Sequence, residues 1–263
     1  MSDSLLYTVE DGLARIILNR PARLNAFDDE LAEAWDAATA DAVDRDDVGA
    51  ILVGASGRHF CAGGDVMAMA MSGMHGSDIT RLAGVINRGI TALTGSAKPV
   101  VASAQGTTAG GGLGILLATD YAVVGESSRL GSLYANIGLT PDLSVSAQLA
   151  RAVGERRALQ LVLQDRMLSA EEALEWGLIA EVVADDQVEA RAEAIARFWL
   201  DGAFAAYGQA KRLVRDGSRS EFAHQIDAEA QSIGTFLDTP EAQARIAAFA
   251  AASTRRSAEK ETR

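Results

Sequence analysis

Through the first half of the chain, short aliphatic and β-branched runs alternate with longer stretches in which apolar positions recur every three or four residues. The runs ARIILN (14–19), AILVG (50–54), VVASA (100–104) and YAVV (121–124) read as strands. Between them, ELAEAWDAATADAV (30–43) follows Asp28, a fair N-cap, and residues 79–93 carry apolar side chains at helical spacing. Strand, loop and helix in repetition predict an α/β core whose sheets are covered by helices. Past about residue 143 the pattern turns helical. Ser169 with Glu172 makes a capping box, Gly177 suits the end of that helix, and Thr239–Pro240 is a second well-formed start. Residues 203–252 read as three alanine-rich helices without a strand signal. The expected division is a core over 1–200 and an all-helical region over 201–263.

Composition narrows the setting. The 263 residues are 48% hydrophobic with four prolines, enough to bury a large core. A formal charge of −12 argues against nucleic acid or an anionic membrane as partner, so an anionic ligand must find a local group of cations. The single cysteine, Cys61, excludes an internal disulfide framework and a multi-cysteine metal site. His75 and His224 have no metal-ligand spacing with each other or with Cys61, so no metal is expected. The N-terminus lacks the basic and apolar regions of a signal peptide, and no stretch approaches the ~18 apolar residues of a membrane span. A cytoplasmic protein without a membrane partner is the expectation.

Two glycine-rich loops carry the chemistry. RHFCAGGD (58–65) follows the strand at 50–54, and QGTTAGGGLG (105–114) follows the strand at 100–104. A loop that leaves a strand and opens a helix exposes unpaired N–H groups where the helix dipole favours negative charge. Two such loops could aim two amide donors at one oxygen, as an oxyanion hole requires. The second loop lacks the GxGxxG register of a dinucleotide site, and no GK[ST] follows to make a Walker-type loop.

FCAGGD (60–65) resembles the FCAGxD signature of the crotonase superfamily, the enoyl-CoA hydratase and isomerase group. The resemblance continues through LNRPARLNA (18–26), KPVVASAQG (98–106), AGGG (109–112), IGLTP (137–141), residues 168–172 and WGL (176–178). It implies a spiral of repeated ββα units, a C-terminal helical region mediating a homotrimer or dimer of trimers, and an acyl-CoA thioester as substrate. Coenzyme A then enters as part of the substrate, with no separate cofactor. The same resemblance assigns the two oxyanion-hole amides to Gly64 and Gly111.

The familiar hydratase glutamates are missing, since the matching positions hold Gly114 and Tyr134. Hydration needs a water activated and a proton delivered on one face, so losing both disfavours it. The nearest remaining carboxylate is Asp142. In the resembling branches an aspartate there serves as proton shuttle in isomerases like the epoxyphenylacetyl-CoA isomerase, or as nucleophile in 4-chlorobenzoyl-CoA dehalogenases. The dehalogenase histidine and tryptophans are replaced by Ile86, Asn87 and Tyr134. Isomerisation of an enoyl-CoA through Asp142 is therefore the leading expectation. Hydration, thioester hydrolysis or dehalogenase-type chemistry, and a noncatalytic acyl-CoA-binding role, stay open beside it. Asp142 also stands where it could cap a following helix, and Tyr134 could face the acyl chain or simply pack.

The other polar residues fill out the site. Asp65 is expected to order its loop, His59 to be an exposed loop residue, and Cys61 to be a small buried one. Met67 heads a run, MAMAM (67–71), that could line an acyl pocket or pack in the core. By the resemblance, Arg23 meets CoA phosphate, the backbone of Ala26, Ala62, Asp65 and Val66 holds adenine and pantetheine, and Lys211, Arg255 and Arg256 could approach from the helical region.

Overall fold

The computed structural model describes residues 3–261, with side chains described for 3–71 and 73–253. Strands β1 (Leu5–Glu10) and β2 (Leu13–Leu18) form a hairpin, followed by helix α1 (Asp29–Asp44), β3 (Ala50–Ala55), α2 (Val66–Ser72) and α3 (Gly76–Gly95). Next come β4 (Val100–Ala104), β5 (Thr107–Ala109), α4 (Gly111–Leu117), β6 (Tyr121–Gly125) and β7 (Arg129–Gly131). The chain continues through α5 (Val145–Val153), α6 (Glu155–Val162), β8 (Met167–Ser169), α7 (Ala170–Glu175), β9 (Glu181–Val183) and α8 (Val188–Asp201). It ends in α9 (Phe204–Gly217), α10 (Phe222–Leu237) and α11 (Pro240–Glu261).

The main sheet runs β1-β2-β3-β4-β6-β9, antiparallel at β1-β2 and parallel elsewhere. Alternation along each strand sends its side chains to two sides. Ala14, Ile16, Ile51, Val53, Val100 and Ala102 join the larger core with Trp35 of α1 and Leu93 of α3. Leu13, Ala50, Leu52, Val101 and Val123 face the other way, against Val188, Ala192 and Ala196 of α8. A parallel sheet covered on both faces explains why these strands read as near-continuous apolar runs.

The expected starts of α1, α7 and α11 are present. Asp28 accepts the Leu31 N–H at 3.0 Å, Ser169 and Glu172 exchange capping bonds, and Thr239 accepts the Ala242 N–H at 3.2 Å. The short strands β5, β8 and β9 lie in stretches read as loop or helix, because three residues carry too little periodicity to declare a strand. They matter nonetheless. β5, β7 and β8 form a second, three-stranded sheet, and that sheet positions the glycine loops.

Candidate active site

The second sheet extends sideways through the first glycine loop. Cys61 forms a parallel bridge with Thr108 of β5, its N–H donating to the Thr107 carbonyl at 3.2 Å and its carbonyl accepting from Ala109 at 2.9 Å. Phe27 then bridges Gly64, donating to the Gly63 carbonyl at 2.8 Å and accepting from the Asp65 N–H at 2.9 Å. The ladder thus holds the two loops in register. Because Phe27 bonds the residues on either side of Gly64, the Gly64 N–H points to the opposite edge. Gly111 is the first residue of α4, where an N–H has no partner within the helix. Among the described residues, neither of these N–H groups has a backbone acceptor.

The glycines answer to close approach. A Cβ on Gly111 would lie 3.6 Å from Gly63 Cα and 2.6 Å from Leu143 Cδ1, so the loops and the 139–144 segment meet there. A Cβ on Gly114 would overlap the Leu143 carbonyl oxygen. The volume a side chain at 114 would need is filled by backbone, and the chain beside Asp142 rests on α4. Gly64 is covered instead by Met69, whose methyl lies 2.6 Å from the Cβ position.

Asp142 is half-buried, and Tyr134 donates to its Oδ1 at 2.5 Å. Burial pushes the Asp142 carboxyl above the usual carboxylate range, and the Tyr134 hydrogen bond opposes that rise without cancelling it. Burial and the neighbouring charge likewise raise the Tyr134 hydroxyl, so it stays a protonated donor. Asp142 does not cap α5. That helix starts at Val145 behind Ser144, with no side-chain cap, and Asp142 instead spends its carboxylate on Tyr134.

Asp65 has the opposite environment. It caps α2 through the Ala68 N–H at 3.0 Å and pairs with Arg20 at 3.1 Å. Burial works against its ionised form, but the Ala68 N–H and Arg20 outweigh it and hold the carboxyl below the ordinary range. Arg20 also pairs with Asp28 at 2.7 Å and donates to the Ala26 carbonyl, so it ties the first loop to the start of α1. Sequence reasoning missed Arg20. The available signal was its place between the end of the strand at Leu18 and Pro21, inside the LNRPARLNA stretch.

The remaining expectations meet mixed outcomes. Arg23 is exposed on the turn Pro21–Arg23, and Arg58, also missed, is exposed next in sequence to Gly57, which packs on Pro21. The N–H groups of Ala26, Ala62 and Asp65 are bonded within the chain, which leaves the Ala62 carbonyl and the helix-opening N–H of Val66 for a ligand. Val66 and Met67 are exposed rather than packed in the core, and Met69 is the methionine that reaches the loop. His59 is half-buried rather than exposed, its Nδ1 accepting the Thr107 N–H at 3.1 Å. Cys61 is fully buried, which pushes its thiol up to about 12.

Lys211 corrects an expectation. It is buried, with Nζ bonded to the carbonyls of Leu93 (2.7 Å) and Lys98 (2.8 Å) and paired with Asp120 (2.9 Å), so it anchors α9 and has no donor left for CoA. Arg255 and Arg256 fall outside the residues whose side chains are described. Among the described residues no cluster of His, Cys, Asp or Glu has the arrangement of a metal site, and no helix is long and apolar enough to cross a membrane.

This sheet order, paired glycine loops and helical C-terminal region together define a crotonase-type frame. The chain belongs to the enoyl-CoA hydratase/isomerase family, whose model matches residues 8–256. It is 32% identical to the trans-2-decenoyl-[acyl-carrier-protein] isomerase of Streptococcus mutans, over 86% of each chain. It is also 32% identical to the 1,2-epoxyphenylacetyl-CoA isomerase of Escherichia coli, over 87% of this chain and 88% of that one. A Mycobacterium abscessus structure described as an enoyl-CoA hydratase/isomerase superposes with a TM-score of 0.88 at 29% identity, covering 94% of this chain and 96% of that one.

Proposed function

We propose that the protein moves the double bond of an enoyl thioester of CoA, with Asp142 as the single proton shuttle and the N–H groups of Gly64 and Gly111 as the oxyanion hole. The observation that carries this reading is the pair of contrasting carboxylates beside the loops. Asp65 is ion-paired and held below the ordinary carboxylate range, hence a poor base, whereas Asp142 is half-buried, has no cationic partner among the described residues, and is raised above that range, as a proton shuttle requires.

The steps balance on these residues alone. The Asp142 carboxylate takes a proton from C2 of a 3-enoyl thioester, and the C–H electron pair moves into the C1–C2 bond while the carbonyl electrons pass to the thioester oxygen. The Gly64 and Gly111 amides stabilise that oxygen, each donor lowering the barrier by roughly 3–4 kcal/mol. The same proton then returns to C4, the double bond settles between C2 and C3, and Asp142 is again ionised. The reverse sequence converts the 2-enoyl thioester.

Hydration is disfavoured by the Leu143 carbonyl, which occupies the space where a second carboxylate at 114 would stand. The two relatives named as isomerases favour the same reading. Arg23 and Arg58 supply the local cations that an acidic chain must offer CoA phosphates. Met67 and Met69 face the acyl chain, and residues 1–200 carry the site. Residues 201–263 serve association into a trimer or dimer of trimers. Their support is the apolar surface left open on α10 and α11, where Phe222, Ile233 and Phe249 are largely exposed. Turnover of matched 2-enoyl and 3-enoyl thioesters, offered on CoA and on acyl carrier protein with products identified by mass and chromatography, tests reaction and carrier together. Interconversion on CoA supports the reading, and a hydrated product or no turnover opposes it.

A further inference from the structure

We propose that Tyr134 is a positioning residue for Asp142: its hydroxyl holds the carboxylate by one oxygen and leaves Oδ2 as the single acceptor for the substrate proton. The inference rests on the isomerase reading and deepens it, since one oxygen serving both carbons keeps the transfer on one face of the substrate.

The geometry is local and closed. Tyr134 begins the turn Tyr134–Ile137, whose end is tied by Leu139 N–H to the Tyr134 carbonyl (3.1 Å) and Gly138 N–H to the Ala135 carbonyl (3.1 Å). The chain returns through Pro141, so a residue eight positions on lies under the hydroxyl at 2.5 Å. A phenol has one proton, and it is committed to Oδ1. Three non-glycine residues around the pair hold left-handed backbone, Leu133 (φ 54°), Leu143 (φ 46°) and Ser144 (φ 67°). Each costs about 1 kcal/mol or more and persists only where the surroundings over-determine the conformation. Here the surroundings are α4, against which Leu143 is packed at Gly111 and Gly114.

Among the described residues no other side chain bonds the Asp142 carboxylate. The carboxylate faces Tyr134 and its own backbone N–H. From the first loop, Cys61 faces Tyr134 but is buried and neutral. The α4 sequence, GGLGILL, offers no titratable group, and on α5 Arg151 is exposed, while Gln148 is bonded to Ser144 and Arg215. Plain packing is the competing role, because the Tyr134 ring also lies against the core. Tyr134→Phe keeps the ring and deletes only the donor.

The test follows the Asp142 carboxyl by carbon NMR, assigned with Asp142→Asn, in wild type and Tyr134→Phe, alongside the pH profile of kcat. Loss of a hydrogen bond to a carboxylate should move its titration up by about one pH unit. The acid limb of kcat should move with it, kcat should fall and KM should hold. Site-specific 3-fluorotyrosine at 134, a stronger donor that preserves the packing, should shift both the other way. A titration that moves in neither variant overturns the proposal and leaves Tyr134 a packing residue. The NMR arm reads out even if the wild type isomerises nothing, so failure of the isomerase reading is separable from failure of this one.

Discussion

At the scale of single residues, the lack of a side chain at Gly114 sets the geometry beside Asp142. Gly114 has no Cβ, so the Leu143 carbonyl rests on α4 and Asp142 stands next in line with Tyr134 above it. Gly114→Ala must push that carbonyl away. A displacement of about 1 Å at a catalytic group costs on the order of 10²-fold in rate. Gly114→Ala should therefore lose isomerase turnover by about that factor while CoA affinity, measured by calorimetry, changes little, because the proposed CoA contacts at Arg23, Arg58 and the first loop are untouched. Equal loss of affinity and turnover would contradict this assignment. Tyr134 and Asp142 were both legible from the sequence as candidates. Their hydrogen bond was not, because it depends on a turn whose left-handed Leu133 and Gly138 have no periodic signature.

At the scale of elements, the long helices and the buried strands were written in the chain, because each spans enough residues for its apolar period to show. The capping pairs at Asp28 and at Ser169 with Glu172 were equally plain. The second sheet was hidden, since β5, β7 and β8 have three residues each and are held by a ladder rather than by a pattern. That ladder sets the register of the glycine loops, so the motif marked the candidate site while tertiary pairing fixes its geometry. The placement of α9 was hidden too. Gly208 lets it touch the Ala97 carbonyl, and Lys211 and Arg215 both reach Asp120, at 2.9 and 2.7 Å. A lysine in a helical, charged stretch reads as surface, and only the assembled core shows it buried. Lys211→Met should destabilise the fold by about 3 kcal/mol, because Asp120 and two carbonyls lose a buried donor. Denaturant melts check this, and a loss under about 1 kcal/mol would mean that Arg215 alone holds the junction.

At the scale of the whole molecule, an acidic chain presents two exposed arginines beside its glycine loops and an apolar surface on its last helices. Sedimentation should find a trimer or a dimer of trimers, and glutamate at Ile233 and Phe249 should release smaller species. A monomeric wild type would contradict the association. The central claim is narrower, that one carboxylate shuttles one proton between two carbons. The measurement that tests it most directly is turnover of matched 2-enoyl and 3-enoyl CoA thioesters by wild type and Asp142→Asn, with CoA binding measured on both. The account predicts interconversion by the wild type and a loss of 10²–10⁴-fold in the variant at unchanged CoA affinity. Comparable turnover in the two proteins, or tight binding without turnover in either, would contradict it.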